Sequence, residues 1–168
     1  MNEKIRDLMF SSRDKEWRTP QSFFDKLNKI HGPYTLDPCC TPASKKCLRH
    51  YTAEDDGLSK SWQGHNVFMN PPYGRDIGKW LKKAYEESRD PGTLVTCLIP
   101  ARTDTKYWHD YCMKAWRIYF VKGRIKFDTA DSEGKNAAPF PSAVVVFKGD
   151  IRGMGWAGNL VVGTMNND

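Results

Sequence analysis

Asn66-Val67-Phe68-Met69-Asn70-Pro71-Pro72-Tyr73 is the stretch that decides how this chain folds. Residues 66–69 are an apolar run of strand length, and two consecutive prolines stop it at once. The residue before a proline is held extended, so Asn70 sits on a stiff strand end. After this turn, Ile77, Trp80, Leu81, Ala84 and Tyr85 recur at helical spacing over 77–88. Pro91-Gly92 then makes a turn, and 93–99 is a continuous apolar strand of the kind buried on both faces. Strand, helix and strand in short units predict an α/β fold with a mostly parallel central sheet.

Working outward, Phe23, Phe24, Leu27 and Ile30 predict a helix that Gly32-Pro33 ends, with Pro20 in its first turn and Thr19 as its N-cap. Short strands are expected at 34–37 and 49–52, a helix at 104–114, and strands at 117–121 and 142–147. Residues 1–16 read as a loosely ordered N-terminus and 17–148 as the folded domain. Residues 149–168 read as a glycine-rich tail or a last irregular strand.

The chain has 168 residues, which suits one domain. No run approaches the ~20 apolar residues of a membrane span, and the charged start MNEKIRDLMF lacks the apolar core of a signal peptide. A cytoplasmic protein without a membrane partner is expected. Five cysteines, an odd number, argue against a disulfide framework. Cys39, Cys40, Cys47 and His50 have poor spacing for zinc, so no metal is expected. Gly153 to Gly158 matches GxGxxG by letter, but lacks the following strand that a dinucleotide site needs.

The net charge is +6, and segment 102–126 carries seven Lys/Arg against two Asp, a net +5. Tyr107, Trp108, Tyr111, Trp116, Tyr119, Phe120 and Phe127 interleave those cations. Cations among aromatics point to a nucleic acid. Arg102, Lys106, Lys122, Arg124 and Lys126 are the candidate phosphate contacts.

The sharpest chemistry lies at 70–73. The crevice at the carboxyl end of a strand is where open α/β sheets bind ligands. There Asn70 offers a side-chain carbonyl, Pro71 a backbone carbonyl and Tyr73 a flat face at the rim. Two convergent acceptors beside a ring suit a planar molecule bearing an exocyclic NH2. Such an amine is a poor nucleophile because its lone pair is delocalised into the ring. Acceptors on its hydrogens draw electron density back to nitrogen, and no ionised base is needed first.

NPPY at 70–73 resembles the motif of S-adenosylmethionine-dependent amino-methyltransferases. With WRTP at 17–20, LDPCCTPASKKC at 36–47, EDDGL at 54–58, Trp62, IPARTDTKYWH at 99–109, KGRIKF at 122–127 and FPSAVVVF at 140–147, the chain is similar to the phage-type DNA N-6-adenine methyltransferase family. The resemblance implies a single Rossmann-like methyltransferase domain. It implies methyl transfer from S-adenosylmethionine to adenine N6 in double-stranded DNA, with the base flipped out. Asn70, Pro71, Pro72 and Tyr73 would be catalytic: Asn70 and Pro71 hold the amine and Tyr73 stacks on the base. Asp37, with Pro38 and Cys39, would meet the cofactor's methionine end, over which Trp17, Arg18 and Thr19 close. Asp55 or Asp56 would take the ribose hydroxyls or adenine amine, and Asn70 borders the same cofactor. A catalytically inactive DNA-binding protein, and an enzyme acting on RNA adenine or protein glutamine, are the alternatives. Little chain remains for a separate target-recognition domain. Base choice is therefore expected from loops, the 122–140 stretch above all, with a short recognition site or help from a second subunit of a homodimer. If phage-encoded, the enzyme works in the host cytoplasm, within or outside restriction-modification.

Overall fold

The computed structural model describes residues 16–129, 133–134, 137–149 and 160–167. The expected loose N-terminus up to residue 15 and the GxGxxG letters at 153–158 lie outside them.

Among these residues one sheet of seven strands forms the centre. The strands are β1 (Leu36–Asp37), β2 (Arg49–His50), β3 (Asn66–Met69), β4 (Leu94–Pro100), β5 (Arg117–Lys122), β6 (Ser142–Lys148) and β7 (Val161–Asn166). Their order is β2-β1-β3-β4-β6-β5-β7. β2, β1, β3 and β4 run parallel, β6 is antiparallel to both of its neighbours, and β7 runs parallel to β5. The fold is thus the expected Rossmann-like α/β type with a mostly parallel sheet.

Among the described residues three α-helices flank the sheet: α1 (Gln21–His31), α2 (Ile77–Glu87) and α3 (Lys106–Asp110). Alternation along the strands sends side chains to opposite faces. On one face Phe23, Phe24 and Leu27 of α1 pack with Phe68, Leu98, Val144 and Val146. On the other, Ile77, Leu81 and Ala84 of α2 pack with Val67, Met69, Cys97 and Val145. β4 and β6 are covered on both sides, which is why both read as unbroken apolar runs.

Three elements differ from expectation. Thr19 is not the cap of α1: Pro20 holds that position with no side-chain hydrogen bond, and the Thr19 hydroxyl is used elsewhere. The helix over 104–114 is broken after Asp110. Tyr111 leaves helical geometry (φ −125°), and a short 3-10 turn, Cys112–Lys114, follows, which brings Cys112 and Ala115 into the core. The C-terminal stretch is no tail at 161–166, where β7 pairs along its whole length with β5.

The order of strands positions the site. From β1 the chain moves outward to β2 and then crosses back to β3 on the other side of β1. This reversal leaves a crevice beyond the carboxyl ends of β1 and β3, the usual ligand position in open α/β sheets. Because of the strand directions, the ends of β4, β5 and β7 and the start of β6 lie along that same edge.

Candidate active site

A cavity of about 560 Å³ opens at the crevice. Asp37 and Pro38 enter it from the end of β1, Asn70 to Tyr73 from the end of β3, and Glu16 to Thr19 as a strap across its mouth. The strap is fixed by a two-way backbone bridge between Arg18 and Asp128, with both N···O distances 2.9 Å. Its Glu16 carboxylate accepts from the Thr41 hydroxyl at 2.8 Å and from the Arg18 guanidinium at 2.9 Å. These donors hold the Glu16 carboxyl below the usual carboxylate range despite partial burial.

The orientation of Asn70 follows from its partners. Its Nδ2 donates to the Trp17 carbonyl at 2.6 Å and to the Thr19 hydroxyl at 3.0 Å. A backbone carbonyl can only accept, so the amide nitrogen must face the strap. The other end, Oδ1, is buried and has no hydrogen-bond partner among the described residues. An unmet buried acceptor costs roughly 1–3 kcal/mol, so its retention at the cavity points to a donor that arrives from outside.

Asp37 is 3% exposed. Its carboxylate accepts from the backbone amides of Lys46 at 3.0 Å and Cys39 at 3.4 Å, which fold loop 38–47 around it. Burial nevertheless outweighs these bonds and pushes the group up to about 6. A buried, ionisable carboxylate at the cavity wall fits a cationic ligand group, which would relieve the desolvation. Burial beside Asp37 also keeps the Cys39 thiol protonated.

The two acidic candidates in the next turn separate. The Asp55 carboxylate accepts from the Thr52 amide at 2.8 Å and the Thr52 hydroxyl at 3.0 Å, which close its own turn and lower its pKa. Asp56 lines the cavity instead. Its turn is set by Gly57, where a Cβ would come within 1.9 Å of the Pro38 carbonyl oxygen. Trp62 is fully buried and donates Nε1–H to the Gly57 carbonyl at 2.9 Å, so the lone Trp of this stretch fixes the wall.

Tyr73 is more enclosed than a ring at a rim. Its hydroxyl donates to the Leu98 carbonyl at 3.2 Å. Phe140 lies edge-on to it at 5.5 Å and Phe127 at 6.3 Å between centroids. Trp17 meets the same two phenylalanines at 5.4 and 5.8 Å. This four-ring cluster joins segments more than a hundred residues apart, and the part of Phe127 and Phe140 in it has no local signal in the sequence. Glu16 and Thr41, the pair that fastens the strap, carry no such signal either.

The basic candidates divide. Lys106 forms an ion pair with Asp110, and Arg102 is exposed beyond the end of β4. Arg124 donates to the Ala138 carbonyl at 3.5 Å. Lys122 and Lys126 line a second groove beside the cavity. No group of three potential metal ligands, and no helix long and apolar enough to cross a membrane, occurs among the described residues.

The family model described as DNA N-6-adenine-methyltransferase (Dam) matches residues 7–162. A DNA N-6-adenine-methyltransferase of Escherichia phage T1 is 31% identical over 134 residues, covering 78% of this chain and 51% of that protein. Another of the same name from Haemophilus phage HP1 is 28% identical over 133 residues, 75% of this chain and 76% of its own length. The chain thus spans about half the length of the T1 relative.

Proposed function

Because the chain belongs to the DNA N-6-adenine-methyltransferase (Dam) family, we propose that it transfers a methyl group from S-adenosylmethionine to the N6 amine of adenine in DNA. The buried, unpartnered Oδ1 of Asn70 carries this reading. It is a buried acceptor on a residue that lines the cavity, with its donor end already committed to the strap. A planar aminopurine offers the missing N–H.

The cavity residues suit the cofactor. Asp37 would pair with its methionine ammonium, with Pro38 and Cys39 alongside, and Asp56 rather than Asp55 would take a ribose hydroxyl or the adenine amine. The strap from Trp17 to Thr19 would cover its methionine end. When bound, S-adenosylmethionine supplies a methyl group on a positively charged sulfur. The residues act on the other reactant. Asn70 Oδ1 and the Pro71 carbonyl accept the two amine hydrogens, which turns the nitrogen lone pair out of conjugation toward the methyl carbon. Methyl transfer from the bound cofactor's sulfur would leave the nitrogen cationic, and the two carbonyl dipoles would stabilise that charge. Asn70 is a neutral amide, so it holds the proton by a hydrogen bond and the proton leaves to solvent after transfer.

An adenine inside a duplex cannot reach this pocket, so the base must be extruded at a cost of a few kcal/mol. Contacts with Tyr73 and with its neighbours Trp17 and Phe140 offset that cost. The reading is tested by offering labelled S-adenosylmethionine with DNA, RNA and protein extract. Label is expected in DNA. Label confined to RNA or to protein glutamine would replace the acceptor in this account.

A further inference from the structure

The second groove lies at the ends of β5 and β7, on the same edge of the sheet as the cavity. It holds about 850 Å³, with Lys122 and Lys126 on one wall, Pro20 and Ser22 on another and Asn166 at the end of β7. Among the described residues its lining carries two lysines and no Asp or Glu. Neither lysine has an ion-pair or hydrogen-bond partner there, unlike Lys106, which is tied to Asp110. The wall from β7 is fixed from both sides: Lys26 Nζ donates to the Asn166 carbonyl and Asn167 Nδ2 to the Arg124 carbonyl, at 2.9 and 2.7 Å.

Both walls continue into the cavity. Phe127, next to Lys126, packs against Trp17 and Tyr73. Pro20 follows Thr19, whose hydroxyl accepts from Asn70. A groove with no anion and two unpaired ammonium groups among the described residues, bordered by the segments that reach Asn70 and Tyr73, is suited to a polyanionic chain. The geometry points to this groove as the track for the sugar-phosphate backbone of the DNA strand beside the target base, with Lys122 and Lys126 on consecutive phosphates and the Asn166 side chain as an uncharged phosphate contact. β7, which the sequence leaves open between a tail and a last irregular strand, thereby becomes part of the DNA surface. This inference rests on DNA being the substrate.

The test compares wild type, Lys122→Gln/Lys126→Gln, and a charge-matched control, Lys29→Gln/Lys82→Gln, whose lysines lie on the exposed sides of α1 and α2. Binding to a duplex oligonucleotide is measured between about 0.05 and 0.3 M salt, and methyl transfer is measured separately. Each lost phosphate contact lowers the slope of log affinity against log salt by about 0.9. The groove variant should therefore lose about 1.8 from the slope and bind at least about tenfold more weakly at ~0.1 M salt. Its KM for DNA should rise at least about tenfold at the same salt, because phosphate contacts hold the strand in position. The control should lose less than half of that slope. Equal losses in both variants, or an unchanged slope in the groove variant, would overturn the inference. A wild type that binds DNA through these lysines but transfers no methyl group would leave the groove standing and sink the proposed reaction.

Discussion

Asn70→Ala should lower kcat for methyl transfer by roughly a thousandfold while the protein keeps its cofactor affinity within about threefold. The magnitude follows from losing one preorganised hydrogen bond aimed at developing charge, which by itself costs about 10²–10³ in kcat. The same substitution also removes one of the strap's anchors, the Asn70 Nδ2 bonds to Trp17 and Thr19. The first consequence falls on the reacting amine, and the strap keeps its place over the cofactor through the Arg18–Asp128 backbone pair and the Glu16–Thr41 bond. Single-turnover transfer at saturating cofactor and DNA reads the first effect, and calorimetric titration with S-adenosylmethionine reads the second. Thermal melting checks that the variant is folded. A loss confined to KM for the cofactor would mean that Asn70 is only part of the cavity wall.

Asp37→Asn should weaken S-adenosylmethionine binding by about a hundredfold at pH 7.5, the scale expected when one partner of a buried charge pair is removed. The wild type should show a matching pH dependence. Its Asp37 carboxyl is pushed up to about 6 by burial. Only the ionised form attracts an ammonium, so the apparent Kd should rise as the pH falls through 6, by about tenfold at pH 5. The Asp37→Asn variant should be flat over the same range. For the unliganded fold the sign is reversed. The folded state holds this proton more tightly than the unfolded chain, whose value is 3.8, so the group stabilises the fold below about pH 4. That contribution is lost as the pH rises through 6. Ligand-free melting and ligand affinity should therefore move in opposite directions through this group.

The readable parts of the sequence are those whose meaning is local. Asn70 can be placed because two prolines stiffen its own strand end, and Asp37 because it ends a short strand just before Pro38. The helices at 21–31 and 77–87 follow from their apolar spacing. Contacts between distant segments are not readable. Thr19 has the chemistry of an N-cap, and only the approach of β3 turns its hydroxyl into an acceptor for Asn70. Asp55 and Asp56 are indistinguishable as letters. They are separated by the positive φ of 52° at Asp56 and by the Thr52 donors that occupy Asp55. Trp17, Tyr73, Phe127 and Phe140 form a cluster only because the strap, the NPPY turn and both ends of the loop between β5 and β6 converge at one edge of the sheet. The helix after β4 breaks where burial of Cys112 and Ala115 prevails over helical continuity.

The positive charge of the 102–126 segment also takes on structure. It is not one uniform patch: Lys106 is paired with Asp110, while Lys122 and Lys126 line a groove that has no Asp or Glu among its described lining residues.

The central claim is that the Asn70 carbonyl, with Pro71, activates an exocyclic purine amine. The most direct measurement is to label DNA with the protein and methyl-labelled S-adenosylmethionine, digest it to nucleosides and identify the product by chromatography and mass. The account predicts N6-methyladenine as the labelled nucleoside, absent when Asn70→Ala replaces wild type. Label on cytosine N4, on a ring carbon, or retained in full by the Asn70→Ala variant would contradict it.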